Sequence, residues 1–536
     1  MKESLPVIQS AAGSCGSCQS AGCASCSTPA PTAKKPASVT RRQLGRAAFL
    51  GSAAALLTRR SPAQGSATQV TDVSSNLDVV QKSKGPVMTL VDEFFKMGPG
   101  PSSSHTMGPM RISYDFYQHI SALPKDQLQR ATALKVHLYG SLSATGKGHG
   151  TDRAALAGLL GKAPANCPPE FLDGLAKRPD EVHPLQLGPT TLNLTLKDVI
   201  FDAVKGDFPH PNTMRIVLLA GNKPLYEQEY YSVGGGFIEW KGYKPPQKGQ
   251  PKYPYATLKE LRRHLEAHNL TLPQLMLANE MAISGKTEQQ VWDFIDQVTN
   301  VMMVMVDTGL KTEGVLPGPI KLESKAATVF RHAQKSPFET DKAIATVSAG
   351  ALAASEENAR GHIIVTAPTG GSAGVMPAIV KGLRDYRKVN QQALRESFLA
   401  AAMVGYLCKH NATLAAAEGG CQAEIGVGSS MAAAMAGQAQ GAPIQVIANA
   451  AESALEAHLG MTCDPVAGYV QVPCIERCAF GAVKAWTAYT IASTSVEVKK
   501  KVDLDTCIAA MAMTAKDMNP KYKETSEAGL AALVLC

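Results

Sequence analysis

The second half of the chain has a composition that suits close-packed helices. From about residue 280 to 535 the sequence is rich in Ala, Met, Leu and Gly, its apolar residues recur at helical spacing, and β-branched alternation is almost absent. Small side chains allow helices to approach one another closely. We therefore predict a mainly helical domain over 280–536, packed either around a buried group or as a tight core that holds nothing.

The preceding part, 86–240, has a mixed pattern. Apolar and polar residues alternate from Leu134 to Tyr139, which predicts a half-buried strand ending at a glycine. Two further runs within 214–233, separated by a short Gly-Asn-Lys turn, indicate a hairpin. The polar run Ser102–Thr106 precedes residues with helical spacing and so predicts the start of a helix. The expected fold class is α+β, with this α+β domain followed by the helical one.

Two further segments complete the predicted domain organisation. Residues 241–279 begin rich in Pro, Lys and Gln and are predicted to form a linker. Residues 1–85 differ from the rest in charge: the formal net charge is +8, and residues 1–71 hold eight basic residues against the single acid Glu3. Because the remainder is nearly neutral, no basic patch favours nucleic acid as a partner.

The basic N-terminal segment has features of a targeting signal. An arginine pair at 41–42 precedes an apolar run over 47–57 that is too short to span a bilayer and is typical of a signal peptide. The surrounding residues resemble, imperfectly, a twin-arginine export signal. The segment leaves open export to the periplasm, a cytoplasmic location and an organelle transit peptide, and it predicts no stable membrane insertion.

Four cysteines near the start form two closely spaced pairs, Cys15/Cys18 and Cys23/Cys26. They are suitable ligands for zinc or an iron–sulfur cluster, but the gap between the pairs is shorter than in zinc ribbons. The flanking sequence is rich in Ser, Ala, Gly and Pro, which favours a disordered, non-catalytic segment.

Polar, glycine-rich segments interrupt the apolar pattern of the body at four places. Each offers backbone and hydroxyl donors of the kind that hold a small anion such as a carboxylate. The segments are Gly98–Thr106, Thr145–Asp152, His210–Met214 and Thr366–Gly374.

Three cysteines of the helical domain, Cys421, Cys463 and Cys474, are candidate metal ligands. Thiolates in a buried, reduced setting suit an iron–sulfur cluster, and three of them would leave one iron of a four-iron cluster without a protein thiolate. The alternative is that each is a buried apolar cysteine.

The motifs, taken together and in this order, resemble the single-chain bacterial iron–sulfur-dependent L-serine dehydratases. The resemblance runs from about Met88 to Cys536. It is carried by Gly98–Met110, Tyr139–Asp152, His210–Met214, Tyr231–Ile238, Glu313–Pro317, Glu356–Pro377, Gly419–Gly426, Asn449–Arg477 and Asp517–Ala531.

The resemblance implies an enzyme that converts L-serine to pyruvate and ammonia with a 4Fe-4S cluster whose open iron acts as a Lewis acid. The implied metal ligands are Cys421, Cys463 and Cys474, with the terminal Cys536 at the open iron when substrate is absent. The candidate base is His149, followed by His105 and His210, and Lys147 is expected to hold the substrate carboxylate or to help polarise the site. Expected substrate-binding residues are Ser103, Ser104, Thr106, Asn212 and Thr369. A homodimer is also expected.

Two other functions are alternatives to the dehydratase. A pyridoxal-phosphate dehydratase needs a Schiff-base lysine beside a phosphate loop, and Gly234–Gly236 lacks that context. An amino-acid-binding sensor without catalysis is a second alternative. The chain departs from the usual family pattern at Ser429 and Cys478, so a related hydroxy amino acid such as L-threonine is an alternative substrate.

Overall fold

The computed structural model describes residues 85–244 and 247–534. The predicted targeting segment with its arginine pair and four cysteines lies outside the described residues, as does Cys536, so those assignments stay predictions. Within the described ranges, no helix is both long enough and apolar enough to cross a bilayer.

The first part of the described chain combines short helices with a mixed sheet. Its elements are α1 (Val91–Phe94), β1 (Met97–Pro99), α2 (Gly108–Ser121), α3 (Lys125–Leu128), β2 (Ala133–Leu138), α4 (Ser141–His149), α5 (Thr151–Leu159), α6 (Pro169–Lys177), β3 (His183–Leu187), β4 (Thr190–Leu194), β5 (Val199–Phe201), β6 (Thr213–Ala220), β7 (Lys223–Ser232) and β8 (Ile238–Trp240).

Five of these strands form one sheet in the order β5-β2-β6-β7-β8. β2 pairs in parallel with β5 and antiparallel with β6, and β6 and β7 form the predicted hairpin. The alternation along β2 buries Leu134, Val136 and Leu138 against α2 and α5, which complete a separate apolar core. The predicted strand, hairpin and helix are confirmed.

The second part is mainly helical, as predicted. Its elements are α7 (Leu258–His268), α8 (Leu272–Ser284), α9 (Glu288–Gly309), α10 (Ala326–Lys335), α11 (Glu339–Ala359), β9 (Ile363–Val365), α12 (Val375–Lys381), α13 (Gln391–Asn411), α14 (Ala416–Gly419), α15 (Val427–Ala439), α16 (Ile444–Glu456), α17 (Cys474–Thr494), α18 (Leu504–Asp517) and α19 (Leu530–Leu533). Helices α13, α15, α16 and α17 bury alanine-rich faces against one another. The predicted fold class is therefore confirmed.

The stretch 241–279, predicted as a linker, contains α7 and most of α8. The Thr257 side chain starts α7 by accepting a hydrogen bond from the Glu260 backbone N–H, and the Glu260 carboxylate accepts one from the Thr257 backbone N–H. Leu258, Leu261 and Leu265 then bury one side of the helix in the main core. The proline-rich and lysine-rich start of the stretch obscured a helical periodicity that begins only at Leu258.

The chain segment before α2 packs into the helical core rather than onto the sheet. Strand β1 pairs antiparallel with β9, and Gly98 faces Ile364 in that register. Phe94 and Phe95 are fully buried, with the Phe94 ring centroid 5.2 Å from that of Tyr406 and the Phe95 ring centroid 5.6 Å from that of Phe398. This packing fixes the loop over Ser102–Thr106 against the helical part of the molecule.

Candidate active site

A buried histidine, His105, lies in a single π-helical turn over Ser103–Met107 that precedes α2. Such turns are frequent at functional sites. The Ser102 hydroxyl starts the turn by accepting a hydrogen bond from the His105 backbone N–H at 3.0 Å.

The hydrogen bonds of His105 fix its neutral tautomer. Ser141 Oγ donates its one hydrogen to the Glu524 carbonyl oxygen at 2.8 Å, so it accepts from His105 Nε2–H at 3.0 Å. His105 Nδ1 then accepts from the Ser104 hydroxyl at 2.9 Å. Burial, and then the neighbouring His149, lower the pKa of His105 well below its usual range. Both ring nitrogens of His105 are therefore engaged.

A second buried histidine, His149, ends α4 and lies beside the first, with the ring centroids 4.5 Å apart. His149 Nδ1–H donates to the Thr145 carbonyl at 2.8 Å, which leaves the lone pair on Nε2. Nε2 is buried and has no hydrogen-bond partner among the described residues. Burial lowers the pKa of His149 to about 4, so its ring is neutral near pH 7.

The Glu524 side chain joins the histidines to the cysteine-bearing loops. One carboxyl oxygen lies 3.5 Å from His105 Nδ1 and 3.9 Å from His149 Nε2, and the other has no hydrogen-bond partner within the described part of the chain. The Glu524 backbone N–H donates to the Cys463 carbonyl at 2.8 Å. Its φ of +59° is left-handed, a strained conformation for a residue other than glycine.

Three buried cysteines of the helical part lie on loops and helix ends. Cys421 precedes a second π-helical turn, Cys463 lies in the loop after α16, and Cys474 begins α17. The thiols of Cys421 and Cys463 and a carboxyl oxygen of Glu424 lie within 4.8 Å of one another. Glu424 lies against the polar loop after β9, at Gly371, and burial raises its pKa to about 8.

The electrostatics of the cysteines favour one thiolate. A hydrogen bond from Cys463 and the Arg477 guanidinium lower the pKa of Cys421 to about 7, despite its burial. The same thiol–thiol contact and burial raise the pKa of Cys463, and burial raises the pKa of Cys474. Arg477 is held by the Thr462 carbonyl at 2.6 Å and by Asp464 at 3.3 Å. A site with buried thiols, a carboxyl oxygen and one guanidinium suits a cation of the softer, thiolate-binding type.

The amino-acid sequence matches two family models and several known proteins. A family model described as "Serine dehydratase beta chain" matches residues 90–243, and one described as "Serine dehydratase alpha chain" matches residues 267–531. The L-serine dehydratase of Haemophilus influenzae is 39% identical over 461 residues, which cover 84% of this chain and 100% of that protein. The chain belongs to the serine dehydratase family.

Other members of the serine dehydratase family align over nearly their whole length. L-serine dehydratase 2 of Escherichia coli is 40% identical over 453 residues, covering 83% of this chain and 98% of that protein. The L-serine dehydratase of Streptomyces coelicolor is 36% identical over 460 residues, covering 83% and 99%. The alpha and beta chain regions of the family are thus joined here in one chain.

The first group of predicted site residues in this serine dehydratase lies in the turn that carries His105. Ser103 is buried and its hydroxyl has no partner among the described residues, whereas the hydroxyl of Ser104 contacts His105. Thr106 donates to the His149 carbonyl at 2.8 Å, so its hydroxyl hydrogen holds the site rather than facing a ligand.

His210 and Asn212 form a neighbouring contact between the sheet and the cysteine loops. His210 Nδ1 accepts from the Asn212 backbone N–H at 2.9 Å, and its Nε2 lies 3.3 Å from a carboxyl oxygen of Glu418. Because Nδ1 accepts, the neutral ring carries its hydrogen on Nε2 and has no free lone pair for a base. The Asn212 side chain donates to the Ser232 carbonyl at 3.1 Å, and its buried amide oxygen has no hydrogen-bond partner among the described residues.

Lys147 differs from its predicted placement. Its side chain is 74% exposed, pairs with Asp152 at 3.0 Å, and lies over the Phe201 ring. Lys147 and His149 are two residues apart in α4, and residues at that spacing point to different sides of a helix. Since His149 faces inward, the ammonium group of Lys147 faces outward.

We predict that Lys147→Gln lowers kcat/KM for the substrate by less than about fivefold, the value of an exposed ion pair. Steady-state kinetics with the purified protein measure this effect. The control variant is Lys162→Gln, in the loop after α5. A loss of two orders of magnitude for Lys147→Gln alone would return Lys147 to the catalytic group.

Four residues of the site were not predicted from the sequence: Glu424, Glu524, Ser141 and Arg477. Glu424 and Arg477 follow candidate cysteines by three residues, a spacing that puts them on the same local turn and was a usable signal. Ser141 and Glu524 are 383 positions apart in sequence and are brought together by the fold, where the Ser141 hydroxyl donates to the Glu524 carbonyl oxygen. No local pattern marks that contact.

Proposed function

We propose that the chain is an L-serine dehydratase, which eliminates water from L-serine and releases pyruvate and ammonia. The observation that carries the proposal is the neutral His149 ring, whose Nε2 is buried without a hydrogen-bond partner in the described structure. This atom lies 3.9 Å from the carboxyl group of Glu524, and the Glu524 backbone N–H donates to the carbonyl of Cys463, a candidate metal ligand. The family relatives named L-serine dehydratase support the choice of substrate.

We propose that Cys421, Cys463 and Cys474 hold a 4Fe-4S cluster. Their burial, the thiol contact of Cys421 with Cys463 and the guanidinium beside Cys421 support this assignment. When bound, a cluster with one iron free of protein thiolates supplies a Lewis acid for the carboxylate and hydroxyl of the substrate.

His149 is proposed as the base that takes the α-proton of the substrate. Its Nε2 has a lone pair, is neutral near pH 7 and has no competing hydrogen bond among the described residues. His105 has both ring nitrogens occupied, so it is proposed to orient Ser104 and to position His149 through their ring contact. The product of elimination is an aminoacrylate, which becomes an imine and hydrolyses in water.

The hydroxyl and amide groups around the histidines are proposed to bind the substrate carboxylate. Ser103 and Ser104 lie in the turn that carries His105, and Thr369 lies in the loop that contacts Glu424. Asn212 completes the set from the sheet side, with its backbone N–H on His210. A homodimer stays a prediction.

Anaerobic purification followed by an assay with L-serine tests the proposal. A brown protein with about four irons and four sulfides per chain that forms pyruvate and ammonia in equal amounts is the expected result. A colourless protein that binds L-serine without turnover would favour the sensor alternative. A yellow protein that needs pyridoxal phosphate would favour the pyridoxal-phosphate dehydratase.

Cys536 is proposed as the group that occupies the open iron in the absence of substrate. Support comes from the nearby described residues: the Leu530 backbone N–H at the start of α19 donates to Asp464 Oδ2 at 2.6 Å, next to Cys463. That contact brings the final segment to the cysteine loop.

We therefore expect Cys536→Ala to lose its visible absorbance faster in air than the wild type. We also expect a lower apparent KM for L-serine, or the loss of any lag before turnover, because substrate no longer displaces a thiolate. Absorbance decay and progress curves under matched conditions measure both effects, with Cys507→Ala as the control. Identical behaviour of Cys536→Ala and wild type would remove this role.

A further inference from the structure

One buried carboxyl group lies beside the thiols and a second lies beside the histidine pair. Glu424 contributes an oxygen within 4.8 Å of the Cys421 and Cys463 thiols, and Glu524 lies 3.5 Å from His105 and 3.9 Å from His149. Both side chains are almost completely buried. Burial raises the pKa of both carboxyl groups, and the charge of Glu424 raises the pKa of Glu524 further.

In the described part of the chain, Glu424 and Glu524 have no permanently charged basic side chain beside them, because the two histidines near Glu524 have lowered pKa values. Among the described residues, no lysine or arginine forms an ion pair with either Glu424 or Glu524. Arg477, the nearest guanidinium on the cysteine side, is engaged by Cys421, Thr462 and Asp464. One Glu524 oxygen lacks any hydrogen-bond partner in the described chain, and an unpaired buried carboxyl group is costly to the folded protein.

An amino-acid substrate carries the cation that this arrangement lacks. An ammonium group has three hydrogens to donate, and carboxylate oxygens are strong acceptors for charged donors. The lone pair of His149 Nε2 lies 3.9 Å from the Glu524 carboxyl group. A substrate nitrogen bound to Glu524 would therefore hold the adjoining α-carbon next to the proposed base.

We propose that Glu424 and Glu524 together bind the ammonium group of the substrate and so select amino acids over hydroxy acids of the same length. The proposal rests on the dehydratase function proposed above. It assigns to both residues a direct contact with substrate, which distinguishes them from residues that only position His149.

The test compares L-serine with 3-hydroxypropanoate, which has the same carboxylate and hydroxyl but no amino group. Glu524→Gln and Glu424→Gln preserve shape and remove the ability of the side chain to ionise when a cation binds. We expect KM for L-serine, and its dissociation constant measured by calorimetry, to rise at least about tenfold in each variant, while the inhibition constant of 3-hydroxypropanoate changes by less than about threefold. Glu527→Gln is the control, because Glu527 is exposed, lies three residues from Glu524 and pairs with Lys205.

The outcomes separate the competing explanations. A lower kcat with an unchanged ratio of L-serine to 3-hydroxypropanoate affinity would mean that Glu524 acts only through His149, and would overturn the proposal. If Glu424→Gln loses iron, Glu524→Gln decides, and Glu524→Asp should restore part of the affinity for L-serine because its side chain can again ionise. No restoration, with the cluster intact, would also overturn the proposal.

Failure of the proposed function has a different signature. A wild-type protein with intact iron that forms no pyruvate from L-serine contradicts the dehydratase function, whatever the variants do. Calorimetry with L-serine and 3-hydroxypropanoate still measures the contribution of the two carboxyl groups in that case. Equal affinity of the wild type for both compounds would reject an ammonium site.

Discussion

Replacing Cys421 by serine is expected to abolish both the bound iron and the turnover of L-serine. A serine hydroxyl is a far weaker ligand for iron than a thiolate, and the two remaining cysteines hold a cluster poorly. Cys421 also has the most acidic thiol of the three because of Cys463 and Arg477. Iron and sulfide content, visible absorbance and pyruvate formation, all measured anaerobically, check the prediction. The same result is expected for Cys463→Ser and Cys474→Ser.

Matched controls are available among the other buried cysteines. Cys167 lies in the α+β part beside the Pro168 carbonyl, and Cys507 lies in α18 beside the Glu452 carbonyl. Serine can keep either contact, so Cys167→Ser and Cys507→Ser should retain iron and activity. Full iron content and activity in Cys421→Ser would remove Cys421 from the proposed ligand set.

Replacing His149 by alanine is expected to lower kcat by roughly two to four orders of magnitude, the range for loss of a general base. Iron content should not change, because His149 contacts Thr145 and His105 rather than a cysteine. Turnover of L-serine deuterated at the α-carbon should show a larger isotope effect in the variant, since proton removal becomes slower. Steady-state kinetics with both isotopic substrates measure this.

His119→Ala is the control for a generic histidine effect, because the His119 side chain is 52% exposed on α2. His105→Ala is the informative comparison. We expect it to impair turnover by displacing Ser104 and the His149 ring, while His149→Ala removes the base itself. If His149→Ala stays active and His105→Ala is inactive, the base is His105.

The sequence was sufficient for the fold class because its signals were local. The alternation in β2 and the helical spacing after Thr106 each lie within one element, where periodicity is a direct consequence of backbone geometry. The stretch predicted as a linker, 241–279, contains α7 and most of α8, because polar flanking residues hid a short apolar stripe. The packing of β1 against β9 joins residues more than 260 positions apart in sequence and could not be derived from either segment.

The candidate site was predictable only in part. The three cysteines and the two inner histidines were identified from residue type and motif, although their mutual placement depends on tertiary contacts. Glu524 is the clearest omission, since its position depends on a left-handed backbone conformation and on hydrogen bonds to Cys463 and from Ser141. The motif pointed to the segment that contains both Lys147 and His149. The two residues lie on different sides of α4, so only the His149 side chain faces inward.

The insertion of Phe94 and Phe95 into the helical core bears on how the two halves of the chain would behave as separate fragments. Burying these two rings contributes about 3–6 kcal/mol of transfer free energy, and it spans the boundary between the regions matched by the two family models. A fragment over 258–534 would expose an apolar groove and an unpaired edge at Ile364. The halves should therefore be soluble when coexpressed, remain associated after a cut near residue 250, and unfold as one cooperative unit.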